Sequence, residues 1–139
     1  MIIKHEFTVR ADTASLKFIS EKLAVFFSEA GWHEAQTTLY NAQLALNEIC
    51  ANIVRHAYAG HTDGEIYIKL NATLDPPLLE METRDQGIHF DRDSVQKPEL
   101  GIVQEHGYGL FLVEELMDEV SYQTAGKENI WQLSLHIEK

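Results

Sequence analysis

Hydrophobic and polar positions divide the first third of the chain into a strand and two helices. From Ile2 to Val9, apolar and polar residues alternate, which predicts a β-strand. Asp12 then provides an N-cap for a helix that ends at Gly31. Phe18 and Val25 lie opposite the apolar stripe of this helix, where they form either a partner surface or ordinary scattered exposure. The stripe itself predicts a core-facing side: Leu16, Ile19, Leu23, Phe26, Phe27 and Ala30.

The second helix, predicted from about His33 to about Tyr58, combines a mostly apolar circumference with a line of polar residues. The apolar circumference indicates that the helix is buried on several sides. At ~100° per residue, Glu48, Asn52 and His56 fall within about 80° of one another. Because burying polar groups without partners is costly, this polar line on a mostly buried helix requires an explanation.

The rest of the chain predicts four strands and one helix. The predicted elements are strands over Glu65–Thr73 and Leu78–Arg84, a helix over Tyr108–Met117, and strands over Val120–Thr124 and Ile130–Ile137. Residues 88–107 are irregular and mixed in composition. Strands and helices do not alternate regularly along the chain. This order favours an α+β fold, a two-layer sandwich in which three main helices cover one face of a mostly antiparallel, mixed sheet.

The composition is that of a globular domain without a basic surface. With 139 residues, of which 45% are apolar and 24% charged, the chain is expected to form a single domain over residues 1–139. It carries 22 acidic and 11 basic residues, a net charge of −11, and no Lys/Arg cluster. This balance argues against direct nucleic-acid binding and favours a protein partner, and an anionic ligand would need a locally favourable site.

Three further features favour a cytoplasmic protein without membrane contact. No apolar stretch is long enough to span a membrane, and the start of the chain, MIIKHEFTVR, lacks the apolar run of a signal peptide. The single cysteine, Cys50, cannot form an internal disulfide. Its position within a buried helix favours a core role over a nucleophilic one.

Several familiar motifs are absent from the sequence. It contains neither a GxxxxGK[ST] loop nor a GxGxxG turn after a strand, which argues against the common nucleotide-binding loops. The seven histidines show no HExxH or other ligand spacing, so a dedicated zinc site is not expected. No GxSxG nucleophile motif occurs.

Three polar groupings remain as candidates for chemistry. Glu48 and Asn52, four residues apart on one helix face, can accept a proton and ligate a hard cation, or they form an ordinary polar pair. Asp85 and Gly87 follow a strand, where a carboxylate suits an adenine amino group and glycine allows close approach, or they form a simple turn. Gly107 and Gly109 open a helix whose N–H groups suit a phosphate, or they belong to a loop.

The order and spacing of these groupings resemble the N, G1 and G2 boxes of the Bergerat-fold ATPases, which include gyrase, histidine kinases and mismatch-repair proteins. The matching segments are NEICANIVRHAYAG, DQGIHFD and GYGLFLVEELMDEV. This version is similar to the small bacterial anti-sigma factor serine kinases, and the resemblance covers residues 1–139. His89 departs from the pattern, since the broader superfamily often has glycine there.

The resemblance implies a role for each residue of these boxes. Glu48 would be the catalytic base, Asn52 the magnesium ligand and Asp85 the acceptor for the adenine amino group. Residues 92–106 would form a lid over the nucleotide, although this segment has few basic residues. The implied nucleotide-binding set is Asn52, Asp85, Gly87, Gly107, Gly109 and Leu110.

The resemblance also implies an activity and partners. The expected function is that of a Mg-ATP-dependent serine protein kinase and anti-sigma regulatory factor. It would phosphorylate an anti-sigma-factor antagonist and hold a sigma factor inactive, with ATP and Mg²⁺ as cofactors and a homodimer as a possible assembly. One alternative is an ATP-binding anti-sigma module without kinase activity. Another is a histidine-kinase-like domain with a separate phosphoacceptor, which the lack of a dimerisation helix-hairpin disfavours.

Overall fold

The computed structural model describes residues 2–58, 64–89 and 108–137. No helix in these ranges has the length and apolar character needed to cross a membrane. A π-helical turn over Ile53–Ala57 continues the second helix. The other elements are β1 (Ile2–Arg10), α1 (Ala14–Glu29), α2 (Gln36–Asn52), β2 (Glu65–Leu74), β3 (Pro77–Asp85), α3 (Tyr108–Leu116), β4 (Glu119–Ala125) and β5 (Glu128–His136).

The five strands form one sheet in the order β1-β2-β3-β5-β4. All four pairings are antiparallel, so the sheet is antiparallel throughout rather than mixed. Burial alternates along β2, where every second side chain is fully buried: Ile66, Ile68, Leu70 and Ala72. These residues share one core with the apolar faces of the three helices. The predicted α+β sandwich is therefore confirmed.

The first helix packs as its apolar stripe predicts. Its residues Ile19, Leu23, Phe26 and Phe27 are buried, whereas Phe18 and Val25 are 45% and 52% exposed. The helix begins at Ala14, slightly later than a cap at Asp12 would place it. The side chain of Asp12 nevertheless accepts a hydrogen bond from the backbone N–H of Ser15 at 2.9 Å, which satisfies one of the free donors of the first turn.

The second helix is shorter than predicted and changes its winding near its end. The α-helical part runs from Gln36 to Asn52, and a π-helical turn follows over Ile53–Ala57. In this turn the Tyr58 N–H donates to the carbonyl of Ile53 at 3.0 Å. Single π turns are frequent at functional sites, because the extra residue redirects the side chains and carbonyls that follow.

The two phenylalanines on opposite faces of α1 provide a test of this packing. Phe26→Ala should lower the free energy of unfolding by about 3–5 kcal/mol, because it leaves a cavity at a side chain that is 0% exposed. Phe18→Ala, the matched control, should cost about 0.5–1.5 kcal/mol, the value of an edge contact such as the one Phe18 makes with Phe7. Urea unfolding measures both, and equal losses would contradict the assigned orientation of α1.

Candidate functional site

Asp85 ends β3 with its carboxylate inside the protein. The residue is 2% exposed, although its type is normally found at the surface. Its Oδ1 accepts hydrogen bonds from the Asn129 amide at 2.8 Å and from the Gly87 N–H at 3.0 Å. Its Oδ2 is also buried and has no hydrogen-bond partner among the described residues. Burial raises the pKa of the Asp85 carboxyl, although hydrogen bonds from Asn129 and Gly87 oppose the shift.

The turn after Asp85 fits closely under the π-helical end of α2. The Ile88 N–H donates to the carbonyl of Ala57 at 2.8 Å. A Cβ on Gly87 would lie 2.6 Å from the Cβ of Ala57, and closer still to the Ala57 carbonyl oxygen. Because a backbone carbonyl cannot move aside easily, only glycine fits at position 87 without displacing the helix end.

Tyr58, at the end of α2, connects the same turn to the start of β2 through its hydroxyl group. Its hydroxyl accepts a hydrogen bond from the Gln86 N–H at 2.8 Å and donates to the carbonyl of Glu65 at 2.9 Å. The ring lies against Gly64, where a Cβ would approach it to 2.6 Å. The end of α2, the start of β2 and the turn after β3 are therefore held together at one tyrosine.

Asn129 is a site residue that sequence reasoning missed. It lies on β5 directly opposite Asp85 and is 2% exposed. Its amide nitrogen donates to Asp85 Oδ1 and to the carbonyl of Gly87, the latter at 3.1 Å. Its amide oxygen accepts from the Tyr122 hydroxyl at 2.6 Å and lies 2.7 Å from His89 Nδ1. Asn129 thus connects the carboxylate, the glycine turn and the β4–β5 hairpin.

The second part of the candidate site lies where α3 begins against α2. A Cβ on Gly109 would lie 2.6 Å from Glu48 Oε2 and 3.7 Å from Asn52 Nδ2. The Glu48 carboxylate and the Asn52 amide therefore face the first turn of α3, as the motif order predicts. Asn52 Oδ1 points the other way and accepts a hydrogen bond from the Arg55 guanidinium at 3.0 Å. Glu48 and Asn52 are half-buried, and the third member of the predicted polar line, His56, is exposed.

Two of the residues singled out in the sequence, Leu110 and Cys50, lie in the core, and two further predictions fall outside the described ranges. Leu110 is 8% exposed and belongs to the core cluster, so it packs α3 into the protein. Cys50 is fully buried, and burial raises the pKa of its thiol to about 12, which fits the expected core role. Gly107 and the predicted lid, residues 92–106, lie outside the described residues. Within the described ranges, no three His, Cys, Asp or Glu side chains come together in a group that could hold a metal ion by themselves.

The arrangement provides two chemically different ends joined by one helix. At one end, the buried Oδ2 of Asp85 has no hydrogen-bond donor among the described residues, and it lies next to the turn that contains Gly87. At the other end, a carboxylate and an amide face the start of α3, where free backbone N–H groups favour an anion. An acceptor for a base at one end and an anion site with oxygen ligands at the other suit a nucleotide.

Comparisons with known proteins identify the family of this chain. A profile of the histidine kinase-like ATPase domain matches residues 9–135. The serine-protein kinase RsbW of Bacillus velezensis is 37% identical over 91 residues, which are 59% of this chain and 55% of that protein. The RsbW protein of Listeria innocua is 33% identical over 102 residues, 67% of this chain and 62% of its own. The chain thus spans between about half and two thirds of these relatives.

A solved structure supports the same fold. The structure of the RsbU and RsbW domains of a Mycobacterium tuberculosis protein superposes with a TM-score of 0.72 and 17% sequence identity. The match covers 99% of this chain and 33% of that one. The ordered boxes, the five-stranded sheet and the matched profile lead to one assignment. The chain belongs to the histidine kinase-like ATPase domain family.

Proposed function

We propose that this protein is a Mg-ATP-dependent serine protein kinase and anti-sigma regulatory factor that phosphorylates an anti-sigma-factor antagonist. The observation that carries the proposal is the buried Oδ2 of Asp85, which has no hydrogen-bond partner within the described part of the chain. A buried acceptor without a partner costs free energy, and a ligand that donates to it recovers that cost. The adenine amino group is a donor of the required kind.

The base end supports adenine as the recognised group. Asp85 Oδ1 is already bonded to Asn129 and Gly87, so Oδ2 is the oxygen left for a ligand. Gly87 supports this arrangement indirectly: it lets the turn pack against Ala57, and its N–H donates to Oδ1 rather than to Oδ2. The adenine edge presents an N–H donor at its exocyclic amine, whereas guanine carries a carbonyl at the same position and would face the carboxylate with an acceptor.

The phosphate end supports binding of a metal-complexed triphosphate. Asn52 lies near the start of α3 and carries an amide oxygen, which fits Mg²⁺ because this ion is usually held by one or two protein oxygens together with substrate phosphates. Asn52 would have to turn its oxygen away from Arg55 to act as a ligand. When bound, Mg²⁺ would neutralise charge on the phosphates and hold them in position.

Glu48 is proposed to act as the general base in phosphoryl transfer. Its carboxylate would accept the proton from the serine hydroxyl of the antagonist as the hydroxyl oxygen forms a bond to the γ-phosphorus. The bond from this phosphorus to the β–γ bridging oxygen breaks, and ADP leaves with the electron pair. The antagonist thereby gains a phosphoserine, and the proton remains on Glu48 until solvent removes it.

The partners are proposed from the relatives rather than from a surface of this chain. The matched relatives are named serine-protein kinase RsbW, and the sequence resembles kinases that bind a sigma factor and its antagonist. The direct test mixes the purified protein with γ-labelled ATP, Mg²⁺ and a candidate antagonist domain, and then assays phosphoserine. Labelled phosphoserine is the expected product.

One observation favours a second candidate, an ATP-binding anti-sigma module without kinase activity. Asn52 Oδ1 is bonded to Arg55, so the proposed metal ligand is not oriented for a cation in this conformation. An Arg55 guanidinium can neutralise phosphate charge without a metal. Binding of both ATP and a sigma factor, with no transfer to any antagonist tested, would support this candidate over the kinase.

The base-recognition step predicts the effect of Asp85→Asn. The variant keeps the shape and can still accept from Asn129 and Gly87, but its amide places a donor where the adenine amino group donates. ATP affinity should fall by about ten- to hundredfold, because one buried hydrogen bond is worth about 1–3 kcal/mol. Calorimetry measures this, with Asp118→Asn as the control at the opposite end of β5. Equal affinity in Asp85→Asn and the wild type would exclude Asp85 from the base site.

The transfer step predicts that Glu48→Ala separates binding from catalysis. Phosphorylation of the antagonist should slow by about 10²–10⁴, the usual contribution of a positioned general base, while ATP affinity stays near the wild-type value. The helix should persist, because alanine is a good helix former. Single-turnover assays with labelled ATP measure the rate.

Two variants complete that experiment. Asn52→Ala should instead weaken Mg²⁺-dependent ATP binding, since it removes a proposed oxygen ligand. Glu115→Ala on α3, an exposed glutamate, serves as the matched control. A wild-type transfer rate in Glu48→Ala would show that another group is the base.

The two glycines of the site predict different consequences of adding a methyl group. Gly109→Ala should displace the Glu48 carboxylate, which is a flexible side-chain end, and so reduce transfer more than stability. Gly87→Ala meets the backbone of Ala57, so the free energy of unfolding should fall by about 1–3 kcal/mol. Thermal unfolding and transfer assays measured side by side distinguish the two. A larger stability loss in Gly109→Ala than in Gly87→Ala would contradict this geometry.

A further inference from the structure

We propose that Asn129 is a positioning residue for base recognition: it holds the Asp85 carboxylate so that only Oδ2 faces the nucleotide, and it thereby sets the preference for a base with an exocyclic amino group. This inference rests on the proposed function, since it takes Asp85 as the base acceptor. It assigns a role to a residue outside the three sequence boxes, on the β4–β5 hairpin.

The orientation of the Asn129 amide is fixed by its neighbours. Its nitrogen lies within hydrogen-bond distance of three acceptors, Asp85 Oδ1 at 2.8 Å and the carbonyls of Gly87 and Ile88 at 3.1 and 3.3 Å. The two hydrogens of this nitrogen are shared among the three acceptors, whereas a flipped amide would turn its oxygen toward these three oxygens and could donate to none of them. The donor side of Asn129 therefore always faces the carboxylate.

The acceptor side of the amide is held equally firmly. The Tyr122 hydroxyl donates to Asn129 Oδ1 at 2.6 Å. His89 Nδ1 lies 2.7 Å from the same oxygen, and because an amide oxygen can only accept, this ring nitrogen must carry the hydrogen. Hydrogen bonds from Tyr122 on β4 and from His89 in the turn after β3 thus fix the Asn129 amide. The amide in turn fixes the orientation of the Asp85 carboxylate.

The hydrogen bonds of Asn129 determine which oxygen of the Asp85 carboxylate is available to a ligand. With Asn129 in place, Oδ1 receives two hydrogen bonds and the carboxylate cannot rotate about its Cβ–Cγ bond without breaking both. Without the amide, only the Gly87 N–H would remain on Oδ1. The loss would also remove the largest influence that lowers the pKa of this buried carboxyl, so its neutral form would become more populated.

Packing of the core alone would not require an amide at this position. Asn129 continues the buried face of β5 that Trp131 and Leu133 occupy, where apolar residues fill the core. A buried amide gains little net stability from its hydrogen bonds compared with a well-packed apolar residue. Yet each described hydrogen bond of this side chain goes to Asp85, to the turn that follows it, or to Tyr122.

The test compares two nucleotides that differ only in the recognised group. Dissociation constants are measured by calorimetry for ATP and for purine riboside triphosphate, which lacks the 6-amino group. In the wild type, ATP should bind about ten- to hundredfold more tightly, the value of one buried hydrogen bond to a charged acceptor. In Asn129→Ala this ratio should fall at least about threefold, because ATP loses more affinity than the analogue does.

Two further variants make the outcome decisive. Tyr122→Phe removes one hydroxyl and should reduce the ratio in the same direction by about two- to tenfold, the value of one hydrogen bond. Asn71→Ala, on the opposite face of the sheet, is the matched control and should leave the ratio unchanged. Thermal unfolding confirms that each variant is folded.

Each outcome supports or overturns the proposal. A folded Asn129→Ala protein with the wild-type ratio overturns it, even if both nucleotides bind more weakly, because a uniform loss indicates a structural role. If Asn129→Ala does not fold, an unchanged ratio in Tyr122→Phe overturns it. If the wild type binds ATP and the analogue equally, the assignment of Asp85 as base acceptor fails first, and the inference fails with it.

Discussion

The buried carboxylate of Asp85 is the constraint on which the rest of the site depends. Removing a carboxylate from water costs several kcal/mol, so the fold must supply hydrogen bonds around it. The register of β3 against β5 places Asn129 directly opposite, and the turn at Gly87 returns a backbone N–H to the same oxygen. These contacts satisfy one oxygen and leave Oδ2 to a ligand. One buried acceptor, Asp85 Oδ2, therefore lacks a hydrogen bond from any described residue at the end of β3. Buried polar atoms in a protein core normally have partners, so such an atom is more typical of a binding site.

The second helix, with its π-helical end, connects the two parts of the candidate site. Ala57 and Tyr58 hold the turn after Asp85, the proposed base acceptor, whereas Glu48 and Asn52 face the start of α3. At a rise of ~1.5 Å per residue, nine helical positions span on the order of 13 Å, a distance that suits a base at one end and phosphates at the other. Because both groups belong to one helix and its π-helical continuation, their spacing is rigid. The π turn at 53–57 gives the Ala57 carbonyl the direction that it needs to meet Ile88.

Local patterns predicted the elements well, and nonlocal contacts account for what they missed. Strand alternation and helix period depend on neighbours in sequence, so all five strands and the three α-helices were anticipated to within a few residues at each end. The π turn at 53–57 could not be predicted from the hydrophobic pattern, because its first residues continue the apolar pattern of α2 without a break. Asn129 resembled an ordinary turn residue because its partner Asp85 lies 44 positions away. Its place on the same alternation as Trp131 was the available signal: a polar residue on a core-facing register. The roles proposed for Glu48 and Asn52 come from the family resemblance of the three ordered boxes, because a Glu–Asn pair four residues apart is by itself also an ordinary polar pair.

The net charge of −11 does not prevent this chain from holding a triphosphate, because charges farther away than about 10 Å are largely screened. What matters is the charge near the phosphates. In the described part of the chain, the first turn of α3 offers free N–H groups at the proposed phosphate position, and the positive charge of Arg55 beside Asn52 offsets the negative charge of Glu48. The hydrogen bond from Arg55 to Asn52 is exposed, so breaking it costs little. The amide can therefore release the guanidinium toward a phosphate and turn its own oxygen toward a cation. In the proposed function, this weak surface contact therefore does not oppose the binding of a triphosphate, despite the acidity of the protein as a whole.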